Sequence, residues 1–130
     1  MIGVIDYGMG NLGSVVNALR YLEEDVRLIS KHEELDHCYS IIVPGVGAFG
    51  DCMSNLKERG FIDLIQQWVD SGKPLMGICL GLQILFSGSE ESDGVEGLSI
   101  FDGIVKKFEL SSEGKVPQIG WNRMQITNSE

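Results

Sequence analysis

Short apolar runs alternate with amphipathic segments along the first 86 residues of the chain. Four strands are predicted by the apolar runs 2–6, 26–29, 41–43 and 75–78. Helices are predicted by apolar positions that recur every three or four residues over 12–22, 51–58 and 62–69. Pro44 is predicted to end the third strand, because proline has no N–H to donate to a sheet. This alternation is typical of a doubly wound, flavodoxin-like α/β fold, a mostly parallel sheet with helices on both faces.

The pattern changes after Phe86. Residues 87–97 are small, polar and acidic, which predicts a loop. The segments 104–110 and 116–127 predict shorter, half-exposed strands of antiparallel character. The chain then stops at Glu130 without a closing helix, so we expect the α/β domain to be incomplete at this residue.

The composition and charge of the chain favour some classes of binding partner over others. Apolar residues make up 43% of the chain and charged residues 22%, and no apolar run approaches the length needed to cross a bilayer. The amino terminus also lacks the basic start of a signal peptide, so we expect a cytoplasmic protein that does not associate with membranes. Ten basic and nineteen acidic residues give a net charge of −9, which repels phosphate backbones. A small ligand or a protein partner is therefore favoured over nucleic acid.

The three cysteines have different predicted roles. Cys38, Cys52 and Cys79 are odd in number and widely spaced, which excludes the paired spacings of a disulfide framework or a zinc site. No metal or other cofactor is expected. We predict that Cys38 and Cys52 are small buried hydrophobic residues.

Cys79 lies in the turn between the predicted strand 75–78 and the apolar segment 82–86, which we expect to be helical. Gly77 and Gly81 flank it, and positions without a Cβ allow a side chain to project from such a turn. A thiol attacks an amide as the thiolate, which the start of a helix favours. Cys79 is therefore predicted to be a nucleophile, and a buried cysteine in a tight turn is the alternative.

Attack on a carbonyl also requires hydrogen-bond donors for the oxyanion that forms. The backbone N–H of Leu80 is one candidate donor. The loop formed by Gly45, Val46 and Gly47, after the neighbouring strand, is predicted to supply the other.

A cysteine nucleophile needs a general base as well. The only histidines, His32 and His37, lie in a polar connection before the third strand, and we expect both to be exposed to solvent. If Cys79 is catalytic, its base is expected to lie outside these 130 residues.

A competing motif follows the first strand. Gly8-Met9-Gly10-Asn11-Leu12-Gly13 matches the dinucleotide fingerprint GxGxxG at the start of a helix that Asn11 can cap. The second strand, however, ends in Ile29-Ser30-Lys31, where an acid should hold the ribose, although Lys31 would favour a phosphorylated ribose. A nucleotide-binding or non-catalytic interaction domain that uses residues 8–13, with an inert Cys79, is the alternative function.

Four segments of the chain resemble the class I, triad-type glutamine amidotransferases, and among them the glutaminase subunits of imidazole glycerol phosphate synthase. In the order of that family, the segments are Ile5–Leu12, Pro44–Phe49, Gly77–Gln83 and Val116–Asn122. The agreement of four motifs in order is far more specific than any one of them.

The resemblance implies that Cys79 attacks the side-chain amide of L-glutamine, releases ammonia and leaves a glutamyl thioester that water hydrolyses. Gln83 and Glu91 match positions that bind the substrate glutamine. Asn11 and Trp121 match the face that meets the cyclase subunit, a (β/α)₈ barrel that forms a heterodimer with the glutaminase. On this interpretation the glycine-rich loop after the first strand contacts the partner and binds no nucleotide.

The resemblance also has a gap, because the family's catalytic histidine and glutamate would follow Glu130. It therefore implies that residues 1–130 are the N-terminal portion of a class I glutamine amidotransferase domain, and that these residues alone show little turnover. Paralogous subunits supply ammonia for cell-surface sugar synthesis, and the motifs do not separate the two pathways.

Overall fold

The computed structural model describes residues 1–109, 120–125 and 127 of the chain. Its elements, in chain order, are β1 (Ile2–Ile5), α1 (Leu12–Tyr21), β2 (Val26–Ile29), a 3₁₀ turn (His32–Leu35), β3 (Ser40–Gly45), α2 (Phe49–Glu58), α3 (Phe61–Asp70), β4 (Leu75–Cys79), α4 (Leu80–Gln83), β5 (Phe86–Ser89) and β6 (Phe101–Val105). Among these residues, none of the helices has the length and apolar character that spanning a bilayer requires.

The first four strands form one parallel sheet in the order β2-β1-β3-β4. Parallel strands end at a common edge, so the loops after β1, β3 and β4 all lie at the carboxyl edge of the sheet. This topology confirms the prediction of an α/β fold with a mostly parallel sheet.

Helices cover both faces of the sheet, as the sequence predicts. Successive residues of a strand point to opposite faces, so Val4 and Ile42 pack with Val16 of α1, while their neighbours face the other layer. On that second face, the strands pack against the buried side chains of α2 and α3, namely Phe49, Cys52, Met53, Leu56, Phe61, Leu64, Ile65 and Trp68. Burial on both faces explains why the two central strands, β1 and β3, are mostly apolar rather than alternating.

The prediction that Pro44 ends the third strand is wrong, because β3 continues to Gly45 and stays in register with β4 through the pairs Pro44–Ile78 and Gly45–Cys79. On its other side β3 pairs with β1 only as far as Val4–Ile42. The Pro44 carbonyl oxygen faces that side, since it accepts a hydrogen bond from Tyr7. The N–H that proline lacks would point the same way, where no ladder bond is required.

The pairing of β5 with β6 also differs from the antiparallel character that we expected after Phe86. β5 occupies part of the predicted loop and pairs with β6 in parallel, with a shift of register between Phe86 and Gly88. The connection of residues 90–100 is long enough to bring the chain back to the same end of the pair, which makes the parallel arrangement possible. One antiparallel contact occurs in the described part of this region, the isolated bridge Gly88–Glu96. Of the predicted strand 116–127, the structure describes residues 120–125 and 127, and these form no strand.

Candidate functional site

Cys79 is the last residue of β4 and has the backbone angles φ 55° and ψ −116°. L-residues rarely adopt a positive φ, and such strained conformations occur where the surrounding structure enforces them. The Cys79 thiol is exposed, whereas Cys38 and Cys52 are buried as predicted. The geometry is that of the predicted elbow, with the side chain at the carboxyl edge of the sheet.

The helix after Cys79 is much shorter than the sequence suggests. α4 contains only the turn Leu80–Gln83, and the chain then enters β5 at Phe86. Ile84 and Leu85, which we expected in the helix, are instead buried in the core between the two elements. The helix start beside the thiol is therefore a single turn.

The two glycines beside Cys79 allow α4 to lie directly on the strands. A Cβ at Gly77 would lie 2.5 Å from the Gly81 carbonyl oxygen and 2.5 Å from the Leu82 Cα. A Cβ at Gly81 would overlap the carbonyl oxygen of Val43 in β3. The glycines are thus required by the close approach of backbone to backbone, which only residues without a side chain permit.

The structure places two of the four predicted oxyanion residues, Gly45 and Leu80, beside Cys79. Gly45 is in register with Cys79, and a Cβ at Gly45 would lie 2.9 Å from the Leu80 Cβ. β3 ends at Gly45, so Val46 and Gly47 follow directly after the strand position beside Cys79. As the first residue of α4, Leu80 has an N–H without a partner inside the helix. The candidate donors therefore come from the residue after Cys79 and from the loop after the neighbouring strand.

Gln83 and Glu91, the predicted glutamine contacts, line one cavity of about 700 Å³. The other lining residues are Ser89, Glu90, Val105, Lys106, Lys107 and Phe108. Cys79 does not line this cavity. The structure therefore unites the two predicted substrate contacts with each other but leaves the nucleophile outside the hollow that they share.

Glu91 has a second role that the sequence does not indicate. Its Oε2 accepts a hydrogen bond of 3.0 Å from the backbone N–H of Phe49, the first residue of α2. The next N–H of that helix, from Gly50, donates to Ser92 Oγ at 3.0 Å. These bonds cap a helix that lies 42 residues earlier in the chain, so no local sequence signal could have revealed them.

Both histidines are exposed, as expected, and neither is placed as a base for Cys79. His32 Nε2 lies 2.9 Å from the carbonyl oxygen of Gly60, with which it forms a hydrogen bond. The carbonyl of His37 accepts a hydrogen bond from the amino group of Met1, which precedes β1. His37 therefore lies at the amino edge of the parallel sheet, opposite the edge that carries Cys79.

The loop of residues 8–13 packs against the loop after β3. A Cβ at Gly10 would lie 3.2 Å from the Pro44 Cβ, and a Cβ at Gly47 would lie 3.0 Å from the Met9 Cε. Asn11 caps α1 as predicted, because its Oδ1 accepts a 3.2 Å hydrogen bond from the Ser14 N–H. Protein side chains therefore lie against these glycines, an arrangement that favours a structural role for the loop over a phosphate cradle.

Asn11 and Trp121, the two residues assigned to a partner face, are both exposed. Trp121 is fully accessible. A fully exposed tryptophan is unusual in a globular protein.

Sequence reasoning did not identify Tyr7 as a part of this site. Its side chain is fully buried, and its hydroxyl donates a 2.6 Å hydrogen bond to the Pro44 carbonyl oxygen. The Cys52 Sγ lies 3.2 Å from the same hydroxyl.

Burial raises the pKa of the Cys52 thiol and likewise that of Cys38, so both stay protonated more readily than an exposed cysteine.

Comparison with known proteins shows which family the chain resembles. A family model described as glutamine amidotransferase class-I matches residues 3–129. The imidazole glycerol phosphate synthase subunit HisH of Halalkalibacterium halodurans is 48% identical over 128 residues, which are 95% of this chain and 60% of that protein. The protein of the same name from Geobacillus thermodenitrificans is 47% identical, and the match covers 99% of this chain and 62% of that protein.

A crystal structure of a glutamine amidotransferase shares the fold with a TM-score of 0.69 and 24% identity, covering 81% of this chain and 55% of that one. The chain spans about 60% of the length of the curated relatives it matches.

Proposed function

The chain belongs to the class I glutamine amidotransferase family, and from this premise we propose that it carries the nucleophile and oxyanion donors of a glutaminase subunit. The proposed reaction is hydrolysis of L-glutamine to glutamate and ammonia. The ammonia would be delivered to the synthase subunit of imidazole glycerol phosphate synthase, in histidine biosynthesis, because the relatives carry that enzyme's name. The observation that carries the proposal is the exposed thiol of Cys79 at a positive φ, in register with Gly45.

In the proposed mechanism, the Cys79 thiolate forms a bond to the amide carbon of glutamine, and the carbonyl oxygen becomes an oxyanion. The N–H groups of Leu80 and of the loop Gly45–Gly47 stabilise this charge. Collapse of the intermediate breaks the carbon–nitrogen bond, and the nitrogen takes up the proton that the Cys79 thiol released and leaves as ammonia. Water then cleaves the thioester to give glutamate and the free thiol.

The proton relay is proposed to belong to the part of the relatives' length that this chain does not span. His32 follows β2, which β1 and β3 separate from β4, and it bonds to Gly60, while His37 lies at the opposite edge of the sheet. Neither is therefore proposed as the base for Cys79. The 130 residues are accordingly proposed to bind and to react with glutamine analogues without rapid turnover.

Substrate recognition is proposed to use the cavity that Gln83 and Glu91 share. The carboxylate of Glu91 has one oxygen bonded to the N–H of Phe49, and the other is proposed to pair with the α-ammonium group of glutamine. The amide of Gln83 is proposed to contact the α-carboxylate end of the substrate through its N–H₂ group. Because Cys79 lies outside this cavity, the bound glutamine must extend from the cavity toward Cys79 and toward residues 45–47, here called the oxyanion loop.

The test is covalent labelling of the 130-residue chain with 6-diazo-5-oxo-L-norleucine, a glutamine analogue, followed by peptide mass spectrometry. We expect a single adduct at Cys79, slower labelling in the presence of L-glutamine, and no adduct in Cys79→Ser. Labelling spread over Cys38 and Cys52, or labelling that glutamine does not slow, would contradict the proposal.

A pair of variants tests the substrate cavity in the same assay. Gln83→Ala should weaken the protection by L-glutamine. Gln67→Ala, which changes an exposed glutamine on α3, is the matched control and should leave the protection unchanged. Equal protection in both variants would remove Gln83 from the proposed binding site.

A further inference from the structure

Tyr7 buries a hydroxyl beneath the candidate oxyanion loop, and the proposed mechanism makes no use of it. The side chain follows β1 and is completely enclosed. Its hydroxyl donates to the Pro44 carbonyl oxygen at 2.6 Å and lies 3.2 Å from the Cys52 Sγ of α2. A buried hydroxyl that has a short, well-defined acceptor restrains the group to which it bonds.

The Tyr7 hydroxyl takes the place of a missing strand partner. The ladder between β1 and β3 ends at Val4–Ile42, two residues before Pro44. The Pro44 carbonyl therefore has no β1 residue to pair with, and a buried carbonyl without a donor is costly. The Tyr7 side chain supplies that donor from a position just beyond the end of β1.

The peptide that accepts the hydrogen bond from Tyr7 lies at the start of the oxyanion loop. The Pro44 carbonyl belongs to the peptide that links Pro44 to Gly45, so a bond to its oxygen restricts rotation of that peptide plane. A Cβ at Gly45 would lie 3.0 Å from the Tyr7 hydroxyl oxygen and 2.6 Å from the Gly81 nitrogen. The hydroxyl, the loop and the start of α4 thus meet at one point behind Cys79.

The phenol keeps its proton over the working range of such an enzyme. Burial raises the pKa of Tyr7 well above its ordinary value of 10.0, and the contact with Cys52 raises it further. The hydroxyl therefore acts as a donor to Pro44 at neutral and mildly alkaline pH.

We infer that Tyr7 is a positioning residue for the oxyanion loop. Its bond to the Pro44 carbonyl oxygen orients the peptide between Pro44 and Gly45. The N–H groups of Val46 and Gly47 belong to the next two peptides of the chain. The inference rests on the proposed glutaminase function. It does not make Tyr7 a catalytic residue, since its hydroxyl is enclosed and touches no reacting atom.

The test compares two reagents on the same thiol. 6-Diazo-5-oxo-L-norleucine places a carbonyl oxygen in the oxyanion site, whereas iodoacetamide alkylates a thiol by displacement of iodide and needs no oxyanion donor. In Tyr7→Phe, we expect Cys79 labelling by the diazo reagent to slow about three- to tenfold, the range for one lost hydrogen bond. Labelling of Cys79 by iodoacetamide should be unchanged.

Tyr21→Phe, which removes the hydroxyl of an exposed tyrosine on α1, is the matched control and should alter neither rate. Equal slowing of both reagents in Tyr7→Phe, or no slowing of the diazo reagent, would overturn the inference. If the unaltered chain is not labelled at Cys79 by the diazo reagent, the proposed function fails instead, so the two failures are distinct.

A second variant tests the other contact of the Tyr7 hydroxyl. Cys52→Ala removes the sulfur that lies 3.2 Å from the phenol and leaves the bond from Tyr7 to Pro44 in place. We expect the ratio of the diazo rate to the iodoacetamide rate to be unchanged in this variant. A selective fall in the diazo rate would show that the loop depends on packing against α2 rather than on the Tyr7 bond, and would count against the positioning role.

Discussion

Cys79 holds a backbone conformation that is unfavourable for any residue with a side chain, and at the residue scale this strain supports the proposal that its thiol reacts. A non-glycine residue in such a region costs about 1–3 kcal/mol. The register with Gly45 and the close packing of Gly77 and Gly81 leave the chain no relaxed alternative. The backbone conformation that lets the thiol project therefore lowers the stability of the fold.

This strain leads to a prediction about stability. Cys79→Gly should be more stable to urea than Cys79→Ala by about 1 kcal/mol, because glycine adopts a positive φ without steric cost while alanine does not. Both variants lack the thiol, so the comparison isolates the backbone. Equal midpoints of unfolding would show that the elbow is not strained.

The three thiols should react at very different rates. With Ellman's reagent under native conditions, one thiol should react rapidly and two slowly, because Cys38 and Cys52 are buried and burial raises their pKa. In Cys79→Ser the rapid phase should be absent, and only the two slowly reacting thiols should remain. A rapid phase that survives in Cys79→Ser would place an accessible thiol elsewhere.

At the scale of elements, the contact between α4 and β3 depends on the absence of side chains. Gly81→Ala should lower the free energy of unfolding by about 1–3 kcal/mol, because its Cβ would overlap the Val43 carbonyl. Gly13→Ala is the matched control, since Gly13 lies in α1 with open space around its Cβ. That variant should be more stable by about 0.5–1 kcal/mol. Urea unfolding measures the free energy of unfolding of both variants. A Gly81→Ala variant as stable as the unaltered chain would contradict the close packing of α4 on β3.

The turn after β2 should make stability depend on pH. Glu34 Oε2 accepts hydrogen bonds from the N–H groups of Ser30 and Lys31, which lower the pKa of this carboxyl below its ordinary value of 4.5. A carboxyl with a lowered pKa in the folded state stabilises the fold above pH 4.5 and loses that effect as the pH falls through the folded value.

Glu34→Gln should accordingly be less stable than the unaltered chain at neutral pH, with the difference shrinking in acid. Because Glu34 is at the surface, the effect should be small and reduced by salt. Glu33→Gln changes an exposed neighbour and serves as the control. Urea unfolding at several pH values gives the answer, and a difference that grows toward acid pH would have the wrong sign.

At the scale of the whole molecule, the two tryptophans differ in exposure, so their fluorescence distinguishes the core from the surface. Trp68 is buried and its Nε1–H donates to the Pro74 carbonyl at 3.0 Å, whereas Trp121 is fully exposed. Iodide should therefore quench only part of the fluorescence, and Trp121→Phe should remove that part. Adding the cyclase subunit of imidazole glycerol phosphate synthase should protect Trp121, if the proposed partner face is correct.

Asn11→Ala should weaken that protection, and Gln67→Ala, on α3, should not. Unchanged quenching at a saturating concentration of the cyclase subunit would show that Trp121 lies outside the interface. This experiment tests docking independently of the chemistry at Cys79.

Much of the parallel sheet was predictable because its signals are local. Apolar runs located β1 to β4, and glycine and cysteine in one tight turn located the elbow, since both depend on residues that are neighbours in the chain. The length of α4 was not predictable in this way. Its apolar continuation at Ile84 and Leu85 fits a helix equally well, and only burial in the core determined otherwise.

The sequence by itself determined the order of strands and helices from β1 to β4, the exposed thiol at the turn and the glycines around it, because periodicity and turn chemistry act over a few residues. The tertiary structure alone decided the parallel pairing of β5 with β6, the Glu91 cap on α2 and the Tyr7 bond to Pro44. The two bonds join residues 42 and 37 positions apart. Their partners are selected by which segments the packed sheet brings together, and no short stretch of sequence contains that information.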